Sequence, residues 1–202
     1  SKQSLEYMVR QRSERKNLLK TPIDTGIAGR DYQIEAITRV CERYTNNHRK
    51  ALVVQATGTG KTRVSIALSK RMIDAGWAKR VLFLCDRTEL RKQAGKAYGD
   101  YLSEPVYVVG KSKKSDMTNA RIYISTYPGM MNIMENFDVG YFDLIIADES
   151  HRSIYNVYGD LFKYFDAIQL GLTATPVEMI RCSTSQLFGC DYNQPTTNYP
   201  LE

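Results

Sequence analysis

The sequence predicts an α/β domain of three layers, with helices on both faces of a mostly parallel central sheet. Three observations carry that expectation. Short apolar runs alternate with helical patterns and loops, as in sheets whose strands are buried on both faces. A glycine-rich turn bearing a lysine stands between one apolar run and an amphipathic helical pattern. The length, 202 residues, suits one such domain with short flanking arms.

Along the chain, residues 1–29 are polar and basic, with Arg10, Arg12, Arg15, Lys16 and Lys20 spread around a few leucines. They read as a partly helical linker arm that Thr21, Pro22, Gly26 and Gly29 bring to an end. Asp31 then caps a predicted helix from Tyr32 to Arg43, whose Ile34, Ile37 and Val40 share one face. Buried strands are expected at Ala51–Val54, Val81–Cys85, Val106–Val109, Ile122–Ile124, Leu144–Ala147 and Ile168–Leu172. The domain proper is placed at residues 30–185, and residues 186–202 read as a truncated connector with little periodicity. Lys111 to Ser115 form a basic, serine-rich turn.

Composition narrows the classes. No apolar run approaches the length of a membrane span, and Ser1, Lys2 and Gln3 do not begin a secretory leader, so a cytoplasmic protein is expected. Cys41, Cys85, Cys182 and Cys190 form no C-x-x-C pair, and His48 and His151 flank none of them at ligand spacing. Structural zinc and a disulfide framework are therefore not expected. A formal net charge of +6 favours a polyanionic partner, because clustered cations displace the counterions of a phosphate backbone.

Gln55-Ala56-Thr57-Gly58-Thr59-Gly60-Lys61-Thr62 is the most informative segment. Gly58 and Gly60 let the backbone wrap so that its N–H groups point inward, and the helix that follows adds the partial positive charge of its N-terminus. Lys61 is then expected on the β- and γ-phosphates of ATP, with Thr57, Gly58, Thr59 and Gly60 cradling them and the Thr62 hydroxyl on Mg²⁺. The segment departs from the usual phosphate-loop pattern only at Gln55, where glycine is common. An acidic pair completes the site: Asp148 and Glu149 follow the apolar run Leu144–Ala147. Asp148 is expected to hold the Mg²⁺ and Glu149 to orient or deprotonate the attacking water.

Taken in order, these segments resemble the motor core of superfamily 2 helicases. Asp148-Glu149-Ser150-His151 is similar to the DEAD/DEAH motif, and Arg30-Asp31-Tyr32-Gln33 resembles the motif whose glutamine reads adenine, which implies that Gln33 contacts the base. Phe83 to Leu90 and Ile124 to Tyr127 resemble motifs Ia and Ib, implying DNA-backbone contacts for Arg87, Thr88, Ser125 and Thr126. Gly171 to Pro176 resembles motif III, implying that Thr173 and Thr175, with His151, couple nucleotide state to domain movement. The resemblance implies a RecA-like P-loop NTPase fold over roughly Arg30 to Pro176.

The longer strings Asp148 to Tyr155 and Tyr164 to Pro176 resemble the restriction (R) subunit of type I restriction enzymes. That likeness implies ATP-driven translocation on double-stranded DNA, a second RecA-like lobe carrying an arginine finger, a nuclease domain, and methylation and specificity subunits as partners. No separate nuclease segment precedes Arg30 and no second lobe follows, so the chain is expected to be a fragment that hydrolyses ATP very slowly by itself. Other readings stay open: a nucleotide kinase or GTPase sharing the phosphate loop, a noncatalytic DNA-binding module with a vestigial nucleotide site, and a sister RNA helicase or repair translocase.

Overall fold

The computed structural model describes residues 6, 9, 14–149, 152–174, 188–190 and 194–199, and for 152–156 the backbone alone. Among them, seven strands form one sheet: β1 (Lys50–Gln55), β2 (Val81–Cys85), β3 (Val106–Val108), β4 (Ile122–Thr126), β5 (Leu144–Ala147), β6 (Ile168–Thr173) and β7 (Thr197–Tyr199). Their order is β3-β4-β2-β5-β6-β1-β7, and every pairing is parallel. The helices are α1 (Asp31–Thr45), α2 (Lys61–Asp74), α3 (Thr88–Tyr101), α4 (Tyr127–Met131) and α5 (Arg152–Tyr164).

Alternation of side chains along each strand divides the interior into two cores. Ala51 and Val53 of β1, with Val81 and Phe83 of β2, pack with Ile37 and Val40 of α1, Leu68 of α2 and Tyr98 of α3. Leu52, Val54, Leu82 and Leu84 face the other way, onto Tyr127 of α4, Leu161 and Phe162 of α5, and the rings of Tyr123, Phe137 and Phe142. Both faces of these strands are buried, which is why they read as continuous apolar runs.

Three details differ from the sequence expectation. Asp31 is the first helical residue of α1, and Arg30 takes the N-cap place, with the Gln33 side chain returning to its backbone. Within the expected linker arm, Leu18, Ile27 and Ala28 are buried in the first core. A short 3-10 turn at Leu18–Lys20, capped by Asn17, is pinned where Arg71 donates to the Leu19 carbonyl (3.0 Å) and the Trp77 indole to that of Lys16 (3.0 Å). In the expected connector, Phe188 is buried in the second core, and β7 adds an edge to the sheet beside β1. Cys41, Cys85 and Cys190 are buried free thiols; Cys182 lies outside the described residues. No helix among the described residues is long and apolar enough to cross a membrane.

Candidate functional site

Because all the paired strands are parallel, the carboxyl ends of β1, β2, β4, β5 and β6 open on one edge of the sheet, where α/β folds place ligands. Every predicted site residue among the described ones lies at or beside that edge. The phosphate loop leaves β1 after Gln55 and enters α2 at Lys61. Gly58 and Gly60 have φ of +82° and +88°, a left-handed backbone that side-chain-bearing residues seldom adopt. Gly60 is also the N-cap of α2, and no side chain caps that helix, so its first N–H groups face the loop.

Two neighbours on α1 hold the loop from outside. The Tyr32 hydroxyl and the Gln33 amide each donate to the Thr59 carbonyl at 2.9 Å. Gln33 is buried, and its Oε1 accepts from the Arg30 N–H at 3.4 Å. The sequence expectation gave this glutamine to adenine; in the structure the amide braces the loop, leaving its second N–H for other work. A Cβ on Gly60 would stand 2.5 Å from Gln33 Nε2, so the brace requires glycine there. The Thr59 hydroxyl closes the turn on the Ala56 carbonyl at 2.7 Å, and Thr57 is exposed at the loop tip.

Lys61 reaches back across the loop, its Nζ 3.5 Å from the Gln55 carbonyl and 3.5 Å from Glu149 Oε1. Gln55 itself is buried, and neither atom of its amide has a partner among the described residues. Asp148 follows β5, where its N–H donates to the Leu84 carbonyl (2.8 Å) and its own carbonyl accepts from Tyr127 Oη (2.8 Å). Burial, reinforced by the neighbouring Glu149 carboxylate and opposed by Lys61, pushes the Asp148 carboxyl up to about 6. Its Oδ1 is buried with no partner among the described residues. Glu149 turns the chain with a φ of +52°, a conformation costing a non-glycine residue roughly 1–2 kcal/mol. Thus Lys61, Asp148 and Glu149 meet, with Thr62 beside Lys61 at the start of α2.

An orphaned carboxylate oxygen on one strand end and a hydroxyl on the facing helix suit a hard divalent cation that takes its other oxygens from phosphate and water, as Mg²⁺ does. The residues fit that ion.

Thr173 ends β6, the strand between the acidic β5 and the loop-bearing β1, and it is buried. His151 and Thr175, its expected companions, lie outside the described residues. Arg87 and Thr88 are exposed at the start of α3, where the Arg87 guanidinium makes a loose 3.9 Å contact with Asp86. The Thr126 hydroxyl caps α4 by accepting from the Gly129 N–H at 3.2 Å. Ser125 departs from expectation: it is fully buried and its hydroxyl donates to the Thr126 carbonyl at 2.9 Å, so its side chain offers nothing to a surface ligand. Sequence reasoning gave no role to Tyr32, Tyr127 or Tyr199; Tyr32, beside Gln33, and Tyr127, closing the Ile124 to Tyr127 string, stood within motif-like segments, whereas Tyr199 stood in none.

A parallel sheet with a glycine-rich phosphate loop after β1 and an acidic pair after β5 defines a RecA-like P-loop lobe of the superfamily 2 helicase kind. The chain belongs to the family described as type III restriction enzyme, res subunit, which matches residues 26–178. It is similar to the endonuclease subunits of the type I restriction enzymes EcoKI of Escherichia coli K12 (30% identical, 79% of this chain) and EcoAI of Escherichia coli (31%, 82% of this chain). The chain spans 16% and 21% of the lengths of those relatives. Among solved structures, a fragment assigned as an HsdR subunit of a type I restriction enzyme from Vibrio vulnificus superposes with a TM-score of 0.68 at 26% identity, covering 91% of this chain and 32% of that one. The Hef helicase domain of Pyrococcus furiosus shares the fold, with a TM-score of 0.65 at 18% identity over 84% of this chain and 37% of that one.

Proposed function

We propose that this chain is the first nucleotide-gripping lobe of an ATP-dependent DNA translocase, within the R subunit of a type I restriction enzyme. The observation that carries the proposal is the meeting of Lys61, Asp148 and Glu149 at the mouth of the glycine loop, with Lys61 Nζ 3.5 Å from Glu149 Oε1. Loop N–H groups and the N-terminus of α2 bind the phosphates, and Lys61 turns from Glu149 to the β- and γ-oxygens. Thr62 and Asp148 would hold Mg²⁺, which when bound neutralises charge on the phosphates. Glu149, released by Lys61, orients the attacking water and accepts its proton. Gln33 addresses adenine with its remaining N–H while keeping its brace on Thr59.

Arg87, Thr88 and Thr126 face the backbone of double-stranded DNA, a contact that positions without reading sequence. Thr173, with His151 and Thr175, passes the nucleotide state onward. In the proposed parent assembly a second RecA-like lobe supplies the arginine finger, a nuclease domain cuts, and methylation and specificity subunits select the DNA, all in the cytoplasm. An arginine finger is worth roughly 10³–10⁵ in turnover in related enzymes, so this chain alone binds ATP and hydrolyses it very slowly. Equilibrium titration of the chain with ATP and GTP, in the presence of Mg²⁺, tests the reading. ATP is expected to bind and Lys61→Ala to abolish binding; a chain that takes neither nucleotide, or whose affinity ignores Lys61, overturns it.

A further inference from the structure

The last described strand reaches the phosphate loop at both of its ends. Tyr199 of β7 lies in register with Gln55, and its carbonyl accepts the N–H of Ala56, the first loop residue, at 3.1 Å. Its ring packs on that of Tyr32, with centroids 5.7 Å apart and planes tilted by 42°. The Tyr32 hydroxyl in turn donates to the Thr59 carbonyl, near the other end of the loop. The Tyr199 hydroxyl lies beside Glu35, which pairs with Arg39 at 2.8 Å.

The planar trans peptide gives this contact a direction. In such a peptide the C=O and the following N–H point to opposite sides. Tyr32 and Gln33 draw the Thr59 carbonyl outward, toward α1. The Gly60 N–H is thereby turned inward, to the place where the loop would receive a phosphate oxygen. Rotating that peptide would withdraw a donor from the anion and aim a carbonyl at it.

From this geometry we infer that Tyr199 is a positioning residue for the nucleotide phosphates: its ring fixes Tyr32, and Tyr32 sets the orientation of the Thr59–Gly60 peptide. The inference rests on the ATP-binding reading of the site. It makes phosphate affinity depend on residues 194–199, a stretch whose sequence carries no nucleotide motif.

The test is equilibrium titration of the 202-residue chain with a fluorescent ATP analogue and Mg²⁺, well below the unfolding temperature, with inorganic tripolyphosphate as competitor. Tyr199→Ala is expected to weaken both ligands by about three- to tenfold, the scale of one aromatic pair, and Tyr199→Phe, which keeps the ring, to stay within about twofold. Since removing the ring can also loosen β7, Tyr32→Phe supplies a second arm: it leaves the strand intact and is expected to show a similar loss. In the double variant Tyr32→Phe/Tyr199→Ala the losses should fail to add, because both act through one carbonyl. A merely structural role would lower the thermal midpoint of Tyr199→Ala and leave both affinities unchanged; that result, or additive losses, overturns the inference. A wild-type chain that binds neither probe overturns the ATP-site reading and this inference with it.

Discussion

Lys61 and Glu149 form an ion pair across the mouth of the phosphate loop, at 3.5 Å, with Lys61 the more buried partner. On the proposed reading each is the other's placeholder: an incoming triphosphate would take the lysine, and the carboxylate would then be left facing the space where water would attack. Glu149→Gln removes the competitor for Lys61 as well as the proposed base. We expect this variant to bind ATP about two- to fivefold more tightly than wild type, the scale of a partly exposed pair, while hydrolysis falls at least 100-fold, roughly the share general-base catalysis contributes. Titration and single-turnover hydrolysis measure the two effects; weaker ATP binding by Glu149→Gln would show that the pair does not compete with nucleotide.

Asp148 makes stability depend on pH. Its folded-state carboxyl is raised from 3.8 to about 6, chiefly by burial, so between those values the folded chain holds a proton that the unfolded chain has released. Stability therefore falls as pH rises through that window, by on the order of 2–3 kcal/mol in the absence of metal and nucleotide. Asp148→Asn should melt higher than wild type at pH 8 in chelator, and the gap should close as pH falls toward 4. A gap that stays constant with pH would place the strain elsewhere.

The brace on the loop predicts a paired outcome. In Gly60→Ala the new methyl meets Gln33 Nε2 and must adopt a φ of +88°, so both unfolding stability and ATP affinity should drop, the former by about 1–3 kcal/mol. Adding Gln33→Ala removes the clash but also the hydrogen bond to Thr59. The double variant should regain part of the melting temperature and none of the affinity.

Separate behaviour is expected of two residues that motif matching grouped together. Arg87→Ala should weaken binding to double-stranded DNA and lower the slope of log affinity against log salt by about one, because an exposed cation is lost from the proposed interface. Ser125→Ala should leave DNA affinity and salt slope unchanged and cost about 1 kcal/mol of stability, since its hydroxyl is spent on the Thr126 carbonyl inside the lobe. Fluorescence anisotropy across a salt series separates them.

Much of the sheet was legible because burial on both faces writes an unbroken apolar run into the sequence: β2 and β5 lie where such runs predict them. The phosphate loop was legible for a related reason. Its glycines, lysine and helix start are local, and only a few spacings satisfy them. What the sequence hid is held by backbone or by partners far along the chain. Thr197–Tyr199 pairs with β1 through main-chain groups and mixes one buried with two more open polar or aromatic residues, leaving no apolar alternation to read. Ser125 looked like a surface hydroxyl because only the fold reveals which side of a strand end is covered. The Gln33 amide can donate and accept toward many partners, and nothing in its own neighbourhood pointed to the Thr59 carbonyl, 26 residues along the chain.

Lys16 and Leu19 dock at the end of α2 away from the phosphate loop. Lys16 and Leu19 are grasped by Ala75 and Trp77, just beyond α2, and by Arg71 within its last turn, whereas Lys61 stands at the other end of the same helix. One rod of fourteen residues, about 21 Å long, therefore joins the two places. A tilt of that rod at its loop end would therefore reach the backbone of Lys16 and Leu19 through these three hydrogen bonds.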